Sequence, residues 1–249
     1  MGTMTTMGTT TDTLTRHAVA LEKVTKRYGS MTALREATWA FPRGSFTAIM
    51  GRSGSGKSTL LHCASGLGRP TSGSVRLGEI ELGTMPEARL TEVRRERIGF
   101  VFQSYNLVPS LTVAQNITLP LTLAGRRPER SWLREVSSRV GMSGRLHHMP
   151  AELSGGQQQR VAVARALITR PEVVFADEPT AALDPHASSQ VMALLREAVD
   201  TTGQTVVLVT HDPAVAAWAD SVLFLDRGDI EDELTEPSTA KVLARWELL

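Results

Sequence analysis

Short apolar runs, each bounded by polar or glycine-rich residues, recur along most of the chain. They predict strands at residues 18–28, 39–41, 45–50, 173–176 and 205–210, and a short hairpin at residues 74–77 and 80–82. Segments with apolar residues three or four positions apart predict helices at residues 58–66, 157–168 and 187–200. Because strands alternate with helices, the pattern favours a parallel sheet covered by helices on both faces.

The middle of the chain, from about residue 105 to 153, has a different pattern. Helical spacing occurs at residues 114–123 and 132–140, and strand patterns are scarce there. The sequence therefore predicts a mostly helical lobe inserted into the α/β core. Residues 235–249 predict a polar linker and a short helix that carries Trp246, and residues 1–16, mostly Thr, Gly and Met, predict a flexible tail.

Composition excludes several classes of protein. Lys and Arg number 27 against 26 Asp and Glu, so the net charge does not favour a nucleic-acid-binding protein. The single cysteine cannot form an internal disulfide, which argues against a secreted, disulfide-stapled fold. No apolar run approaches the roughly 20 residues of a membrane span, and the N-terminus lacks a secretory signal pattern. We therefore expect a soluble intracellular protein without a membrane span.

Residues 51–58, GRSGSGKS, match a phosphate-binding pattern, GxxxxGK[ST], in full. They follow a predicted strand and precede a predicted helix, which is the context that the pattern requires. The glycines allow backbone N–H groups to converge on phosphate oxygens, and the helix N-terminus favours an anion. We expect the ammonium of Lys57 to reach the β- and γ-phosphates and the hydroxyl of Ser58 to bind Mg²⁺.

Two carboxylates follow the apolar strand predicted at residues 173–176. Asp177 is expected to hold Mg²⁺, directly or through water, and Glu178 to face the γ-phosphate and polarise the attacking water. The tripeptide Asp-Glu-Pro alone is weak evidence for a catalytic site, because exposed acidic turns are common. A phosphate-binding loop about 120 residues upstream makes the catalytic interpretation much stronger.

Residues 153–160, LSGGQQQR, predict a second anion site. The Ser-Gly-Gly triplet places a hydroxyl and backbone N–H groups at the start of a predicted helix. Taken alone, it is better explained as an N-cap with a glycine entry. One nucleotide does not need two phosphate cradles on one chain, so the second cradle is expected to close over a nucleotide held by another copy.

Together these motifs resemble the ATP-binding cassette (ABC) family in order and spacing, over almost the whole chain after residue 18. The segment LSGGQ resembles the signature motif of that family. By the same resemblance, Tyr28 is the aromatic residue that stacks on adenine, and Gln103 is the Q-loop glutamine that contacts Mg²⁺ and water. Asp184 then lies in the D-loop, and His211 is the switch histidine that contacts the γ-phosphate.

The resemblance implies an α/β fold. It consists of a P-loop NTPase core with a parallel sheet, an N-terminal antiparallel β subdomain and an inserted helical subdomain. The single ATPase domain would span residues 17–249, with its core at 17–103 and 161–234. The helical subdomain would cover about 104–160, and a C-terminal helix about 235–249.

The resemblance also implies the members of the site. The catalytic residues are Lys57, Gln103, Glu178 and His211, and the Mg²⁺ ligands are Ser58, Gln103 and Asp177. The residues that contact ATP are Tyr28, Gly51, Ser53, Gly54, Ser55, Gly56, Lys57, Ser58, Thr59, Ser154, Gly155, Gly156, Gln157 and Asp184.

The implied function is that of the ATP-hydrolysing subunit of an ABC transporter. Two copies would dimerise head to tail around two Mg²⁺–ATP and drive a separate membrane permease, with the subunit held on the cytoplasmic face of the cell membrane through that partner. Residues 104–109 and 119–121 resemble the subfamily of macrolide exporters and lipoprotein-releasing ATPases. Gln115 and the segment at residues 180–184 depart from that subfamily, which leaves the cargo open.

Two other functions remain as alternatives. The same ATPase could act on a membrane partner in envelope or cell-division mechanics without moving cargo. It could also be a soluble ABC ATPase that acts on ribosomes, DNA or chromosome structure. The second alternative is less favoured, because a second cassette, long coiled coils and zinc-binding cysteines are all absent from the sequence.

Overall fold

The computed structural model describes residues 17–248. The strands are β1 (His17–Tyr28), β2 (Met31–Pro42), β3 (Phe46–Met50), β4 (Ser72–Leu77), β5 (Ile80–Glu81), β6 (Ile98–Phe102), β7 (Val173–Asp177), β8 (Thr205–Val209), β9 (Ser221–Asp226) and β10 (Asp229–Thr235). The helices are α1 (Lys57–Ala64), α2 (Glu87–Arg97), α3 (Val113–Leu123), α4 (Arg130–Arg139), α5 (Gly155–Leu167), α6 (Pro185–Thr202), α7 (Pro213–Ala216) and α8 (Thr239–Trp246).

The strands form two sheets. The first is antiparallel and has the order β2-β1-β4-β5. The second has the order β10-β9-β3-β8-β7-β6, and all its neighbours are parallel except the β9–β10 pair. This arrangement confirms the predicted α/β fold with a parallel core sheet and an antiparallel β subdomain.

The parallel sheet lies between two apolar clusters. Along β3, Phe46, Ala48 and Met50 belong to one cluster and Ile49 belongs to the other. Both faces of the sheet are therefore covered, which explains why β3 and β8 read as continuous apolar runs and not as alternating ones. Since parallel strands end at one edge, the residues after β3, β7 and β8 lie close together.

The helical lobe contains α3 and α4, and α5 connects it to the core. The side chain of Thr112 accepts a hydrogen bond from the backbone N–H of Gln115, and the side chain of Gln115 accepts one from the backbone N–H of Thr112, so a capping box starts α3. The predicted lobe boundary at residue 160 falls inside α5, which is one continuous helix from Gly155 to Leu167. Lobe and core thus share a rigid element at that boundary.

Five of these helices and strands were not predicted from the pattern: α2, β6, α7, β9 and β10. In α2 only Leu90 and Val93 are buried, so its apolar periodicity is too weak to detect. The arginine-rich end of α2 is only partly a solvated surface, because Arg94 donates a hydrogen bond to the carbonyl oxygen of Gly66 at 2.9 Å. The tail predicted at residues 1–16 lies outside the described residues, and the helix predicted near the C-terminus is α8.

Within residues 17–248, no helix is both long enough and apolar enough to cross a membrane.

Candidate active site

The glycine-rich segment connects the carboxyl end of β3 to the start of α1. Gly56 is the N-cap of α1 with φ 107°, and a Cβ there would lie 2.5 Å from the carbonyl oxygen of Ala33. A Cβ on Gly51 would lie 2.2 Å from the carbonyl oxygen of Leu225. Only glycine fits at these two positions, because any side chain there would collide with neighbouring backbone of the chain itself.

Ser55 and Lys57 give this loop its polar groups. The hydroxyl of Ser55 is buried and has no hydrogen-bond partner among residues 17–248. Lys57 Nζ donates to the carbonyl oxygens of Gly51 at 2.7 Å and Arg52 at 3.0 Å, and burial lowers the pKa of Lys57. The ammonium of Lys57 and the helix N-terminus at this loop fit a chain of phosphate groups, and Ser55 is not among the residues that line the cavity there.

Ser58 and Asp177 meet from different elements. Ser58 is in the first turn of α1 and Asp177 is the last residue of β7, and Ser58 Oγ donates to Asp177 Oδ1 at 3.4 Å. Burial raises the pKa of Asp177, and the charge of His62 and the hydrogen bond from Ser58 oppose that rise. Hydroxyl and carboxylate oxygens are the ligand types that Mg²⁺ prefers, so this pair fits the predicted metal site.

Gln103 lies at the same edge of the sheet. It follows Phe102, the last residue of β6, and Phe102 pairs with Asp177 in the parallel ladder. The side chain of Gln103 is exposed. Its contact with Mg²⁺ and water stays a prediction.

Glu178 and His211 form a pair next to the loop. Glu178 has φ 47°, a left-handed conformation that residues other than glycine rarely adopt, and its backbone N–H donates to the carbonyl oxygen of Val209 at 2.9 Å. His211 Nδ1 lies 2.9 Å from Oε1 and 3.0 Å from Oε2 of Glu178. A carboxylate and an imidazole thus lie in hydrogen-bond contact just after the ends of β7 and β8.

A cavity of about 450 Å³ joins the glycine-rich loop to Glu178 and His211, whereas Asp177 and Gln103 are not among its lining residues. Its lining residues are Met31, Ala33, Ser53, Gly54, Gly56, Lys57, Ser58, Thr59, Glu178 and His211. Met31 and Ala33 were missed from the sequence, because the pattern predicts β2 only at residues 39–41 and the strand begins eight residues earlier, at Met31. Before Trp39 the buried residues of β2 are Leu34 and Ala37, and their spacing of three does not follow the period-2 alternation of a strand, so the pattern carried no signal for this part.

Tyr28 lies beside this cavity and is not among its lining residues. It is half-exposed at the end of β1, where it pairs with Met31. Lys26 Nζ lies 4.9 Å from the centroid of the Tyr28 ring. The ring is accessible, and adenine stacking stays a prediction.

Ser154 starts α5 in another part of the chain. Ser154 Oγ accepts from the backbone N–H of Gln157 at 3.4 Å, and Gln157 Oε1 accepts from the backbone N–H of Ser154 at 3.0 Å, which forms a capping box. A Cβ on Gly155 would lie 2.8 Å from Tyr105 Oη. None of the residues 154–157 lines the cavity at the glycine-rich loop. The chain thus carries its two predicted anion sites apart from each other.

Asp184 caps α6. Its Oδ1 accepts hydrogen bonds from the backbone N–H groups of His186 and Ala187, each at 3.0 Å, and the bond from Ala187 lowers the pKa of Asp184. The carboxylate therefore already has a structural role. Its contact with ATP stays a prediction.

A family model described as "ABC transporter" matches residues 34–181. The chain belongs to the ABC transporter family. The predicted resemblance and the predicted enzyme class are confirmed, since the domains of this family that bind nucleotide are ATPases.

Among the similar curated proteins, the "Macrolide export ATP-binding/permease protein MacB" of Salmonella typhi is 44% identical over 202 residues, which are 80% of this chain and 31% of that protein. The chain thus spans about a third of the length of the MacB relatives. The "Uncharacterized ABC transporter ATP-binding protein YvrO" of Bacillus subtilis is 41% identical over 218 residues, 85% of this chain and 95% of its own length.

Among solved structures, the ATP-binding cassette MJ0796, a dimer bound to ADP and Pi in a post-hydrolysis state, matches with a TM-score of 0.79. The two chains are 39% identical, and the match covers 88% of this chain and 99% of the other. The fold of this chain is therefore that of an ABC cassette.

Proposed function

We propose that this chain is the nucleotide-binding subunit of an ABC transporter, which hydrolyses ATP to ADP and phosphate and drives a permease on a separate chain. One observation carries the proposal. The glycine-rich loop, Glu178 and His211 line one cavity, whereas the cap at Ser154 lies outside it. A chain with two anion-binding segments that do not meet forms a complete site by pairing with a second copy.

Within each site, the chain's own residues bind and orient the reacting groups. Lys57 and the loop backbone hold the β- and γ-phosphates, and Ser58, Asp177 and Gln103 hold Mg²⁺. When bound, Mg²⁺ neutralises the charge on the phosphate oxygens. Glu178 accepts a hydrogen bond from the attacking water and orients it, and His211 donates to the γ-phosphate. Catalysis is then mostly positioning and charge stabilisation.

The second copy contributes the signature segment. In a head-to-tail dimer, each nucleotide lies between residues 51–59 of one copy and residues 154–156 of the other. The cap geometry supports this, because the start of α5 combines a serine hydroxyl, two glycines and the positive end of a 13-residue helix. The similarity to the dimeric cassette MJ0796 supports it independently.

A groove of about 640 Å³ between the core and the helical lobe supports the proposal that the chain binds a membrane partner. Its lining includes Leu67, Phe100, Phe102, Leu119, Pro120, Leu123 and Arg165. Leu123 is 65% exposed, so the groove presents apolar surface to a partner segment. The MacB relatives, named as ATP-binding/permease proteins of macrolide export, favour an export-type system. The subunit would then lie on the cytoplasmic face of the cell membrane.

The ATPase proposal is tested with purified wild-type protein and Glu178→Gln. The wild type should hydrolyse ATP in a Mg²⁺-dependent reaction. Glu178→Gln should bind ATP with similar affinity, turn over slower by two or more orders of magnitude, and form an ATP-dependent dimer in size-exclusion chromatography with light scattering. Glu231→Gln, an exposed residue of β10, is the matched control and should behave as the wild type. Near-normal hydrolysis by Glu178→Gln would contradict the assignment.

The permease proposal is tested by the recovery of the chain with cell membranes. Leu123→Glu places a charge in the groove and should reduce co-purification with a membrane protein, which mass spectrometry would identify. Leu243→Glu, a half-exposed residue of α8 outside the groove, is the control and should co-purify normally. Equal recovery of both variants would count against the groove as the contact surface.

A further inference from the structure

Gln159 lies on α5 and is completely buried. Its Nε2 donates to the carbonyl oxygen of Pro179 at 2.6 Å and to the carbonyl oxygen of Phe102 at 3.2 Å. Both neighbouring groups are acceptors, so the amide nitrogen must face them and the orientation of the side chain is determined. Gln159 therefore ties α5 to two separate segments of the core.

The two segments are those that carry the proposed catalytic groups. Phe102 immediately precedes Gln103, and Pro179 immediately follows Glu178. The carbonyl group of Phe102 shares a rigid peptide unit with the N–H of Gln103, so holding that carbonyl restricts the direction of Gln103. The carbonyl group of Pro179 shares its peptide unit with Thr180, and the ring of Pro179, which fixes φ of that residue, transmits the restraint back to the bond with Glu178. One amide thus restrains the backbone on the C-terminal side of Glu178 and on the N-terminal side of Gln103.

The backbone at Glu178 needs such a restraint. Its φ of 47° is unfavourable for a residue with a side chain, and strained conformations persist only where the surrounding structure holds them. The N–H of Glu178 is held by the carbonyl oxygen of Val209 at 2.9 Å. Gln159 holds the following residue, so the turn is fixed from both sides.

Packing alone does not require a glutamine here. Gln159 Oε1 is buried and has no hydrogen-bond partner among the described residues. A buried polar atom without a partner costs stability, and an apolar side chain of similar size would avoid that cost. The amide is therefore explained by its two donated bonds and not by its environment as a whole.

We propose that Gln159 is a positioning residue for ATP hydrolysis, which couples the start of α5 to Glu178 and Gln103. The inference rests on the proposed function, in which residues 154–156 contact the nucleotide held by the other copy. Gln159 follows Ser154, the N-cap of this helix, by five positions, which is about one and a half helical turns. Movement of the helix when the dimer closes is passed through the amide to the two catalytic segments.

The first experiment compares Gln159→Leu with Gln204→Leu. Gln204 is the matched control, because it is also buried and its Nε2 also donates to two carbonyl oxygens, those of Pro171 at 3.1 Å and Thr205 at 3.3 Å. These two carbonyl groups lie at the N-terminal ends of β7 and β8, whereas the site lies at the C-terminal ends of the same strands. Gln159→Leu should lower kcat by about tenfold to a hundredfold with little change in KM for ATP, and Gln204→Leu should keep wild-type kcat. Both should lose thermal stability.

The second experiment uses the pH dependence of Gln159→Glu. A protonated carboxyl group can donate to one of the two carbonyl oxygens, whereas a carboxylate would face them without a donor. Burial and the two carbonyl oxygens favour the protonated form. The kcat of Gln159→Glu, relative to wild type, should therefore fall as the pH rises, and the ratio for Gln159→Leu should stay constant. This readout is independent of any loss of folding in the leucine variant.

Three results distinguish the possible failures. If Gln159→Leu and Gln204→Leu have equal kcat values, or if Gln159→Glu shows no additional pH dependence, the positioning role is wrong while the proposed function stands. If kcat falls in both leucine variants in proportion to their loss of stability, Gln159 is only structural. If the wild-type protein does not hydrolyse ATP, the proposed function itself fails.

Discussion

His211 Nδ1 lies 2.9 Å from Oε1 of Glu178, and the two residues reach this contact from different strands. The carboxylate is 20% exposed and the imidazole 65%, so the histidine covers the more buried acid from the solvent side. A carboxylate and an imidazole, which can both take part in hydrogen bonds, thus lie in contact at one point of the cavity. In the proposed reaction, that point lies between the attacking water and the γ-phosphate.

We expect His211→Ala to lower kcat by roughly a hundredfold or more, in line with the loss of one positioned acid–base or hydrogen-bonding group. ATP affinity should change much less, because Lys57 and the loop backbone remain. Steady-state hydrolysis and equilibrium nucleotide binding would separate the two effects. His147→Ala, at an exposed histidine outside the cavity, is the control. Wild-type kcat in His211→Ala would exclude the role.

Lys57→Ala should weaken ATP binding strongly, because no other cation among the residues that line the cavity replaces its ammonium. The affinity can be measured by calorimetry or with a fluorescent ATP analogue. Lys241→Ala, on α8, removes one positive charge elsewhere and should bind ATP as the wild type does. Unchanged affinity in Lys57→Ala would contradict the assignment of the loop.

Asp177→Asn tests the metal site through stability. Burial raises the pKa of Asp177, so the ionised form is disfavoured in the folded chain. The asparagine variant lacks this penalty and should have the higher melting temperature in Mg²⁺-free buffer at neutral pH. The difference is complete above the raised pKa and should disappear as the pH falls towards the ordinary carboxyl value near 3.9, where the unfolded chain is also protonated.

The same variant should lose its response to the metal. Mg²⁺ with nucleotide should raise the melting temperature of the wild-type protein, since ligands that bind the folded form stabilise it. Asp177→Asn should show a much smaller rise. Asp226→Asn, a partly exposed residue at the end of β9, is the control and should respond as the wild type does. Equal rises in wild type and Asp177→Asn would remove Asp177 from the metal site.

Ser154 allows helix capping to be separated from anion binding. Ser154→Ala should cost about 1 kcal/mol of stability, a fall of about 2–4 °C in melting temperature. Ser154→Asp should keep the cap, because aspartate is as good an N-cap as serine, yet its charge would repel a phosphate. We therefore expect a stable aspartate variant that neither forms the ATP-dependent dimer nor turns over at the normal rate. A fully active aspartate variant would leave Ser154 with capping alone.

The local part of the site was predictable from the sequence, because the glycines and Lys57 lie next to one another in the chain. The same holds for Asp177, the last residue of a strand whose other four residues are apolar, and for Glu178, which follows it directly. The pairing of Glu178 with His211 depends on the order β8-β7 in the sheet, and strand order leaves no mark on the spacing of residues. The resemblance to a family predicted the role of His211, but its contact with Glu178 became visible only in the structure.

Other features could not be predicted, for physical reasons. The signal for α2 was missing because most of its residues are polar, and the helix is held by contacts such as that of Arg94 with Gly66. Gln159 has no sequence signal either, since it is a polar residue in a helix that also contains Gln157 and Gln158. Only the burial of its side chain and the identity of the two acceptors distinguish it from its neighbours.

The separation of the Ser154 cap from the cavity of the glycine-rich loop has a consequence for mixtures of damaged subunits. In the proposed dimer, each reaction centre takes its loop from one copy and its cap from the other. Pairing a copy that carries Lys57→Ala with a copy that carries Ser154→Asp would place both defects in the same centre and leave the other centre intact. Two inactive proteins mixed together should therefore regain up to a quarter of the wild-type activity if pairing is random and the centres act independently, because half of the dimers are then mixed and each has one intact centre of two.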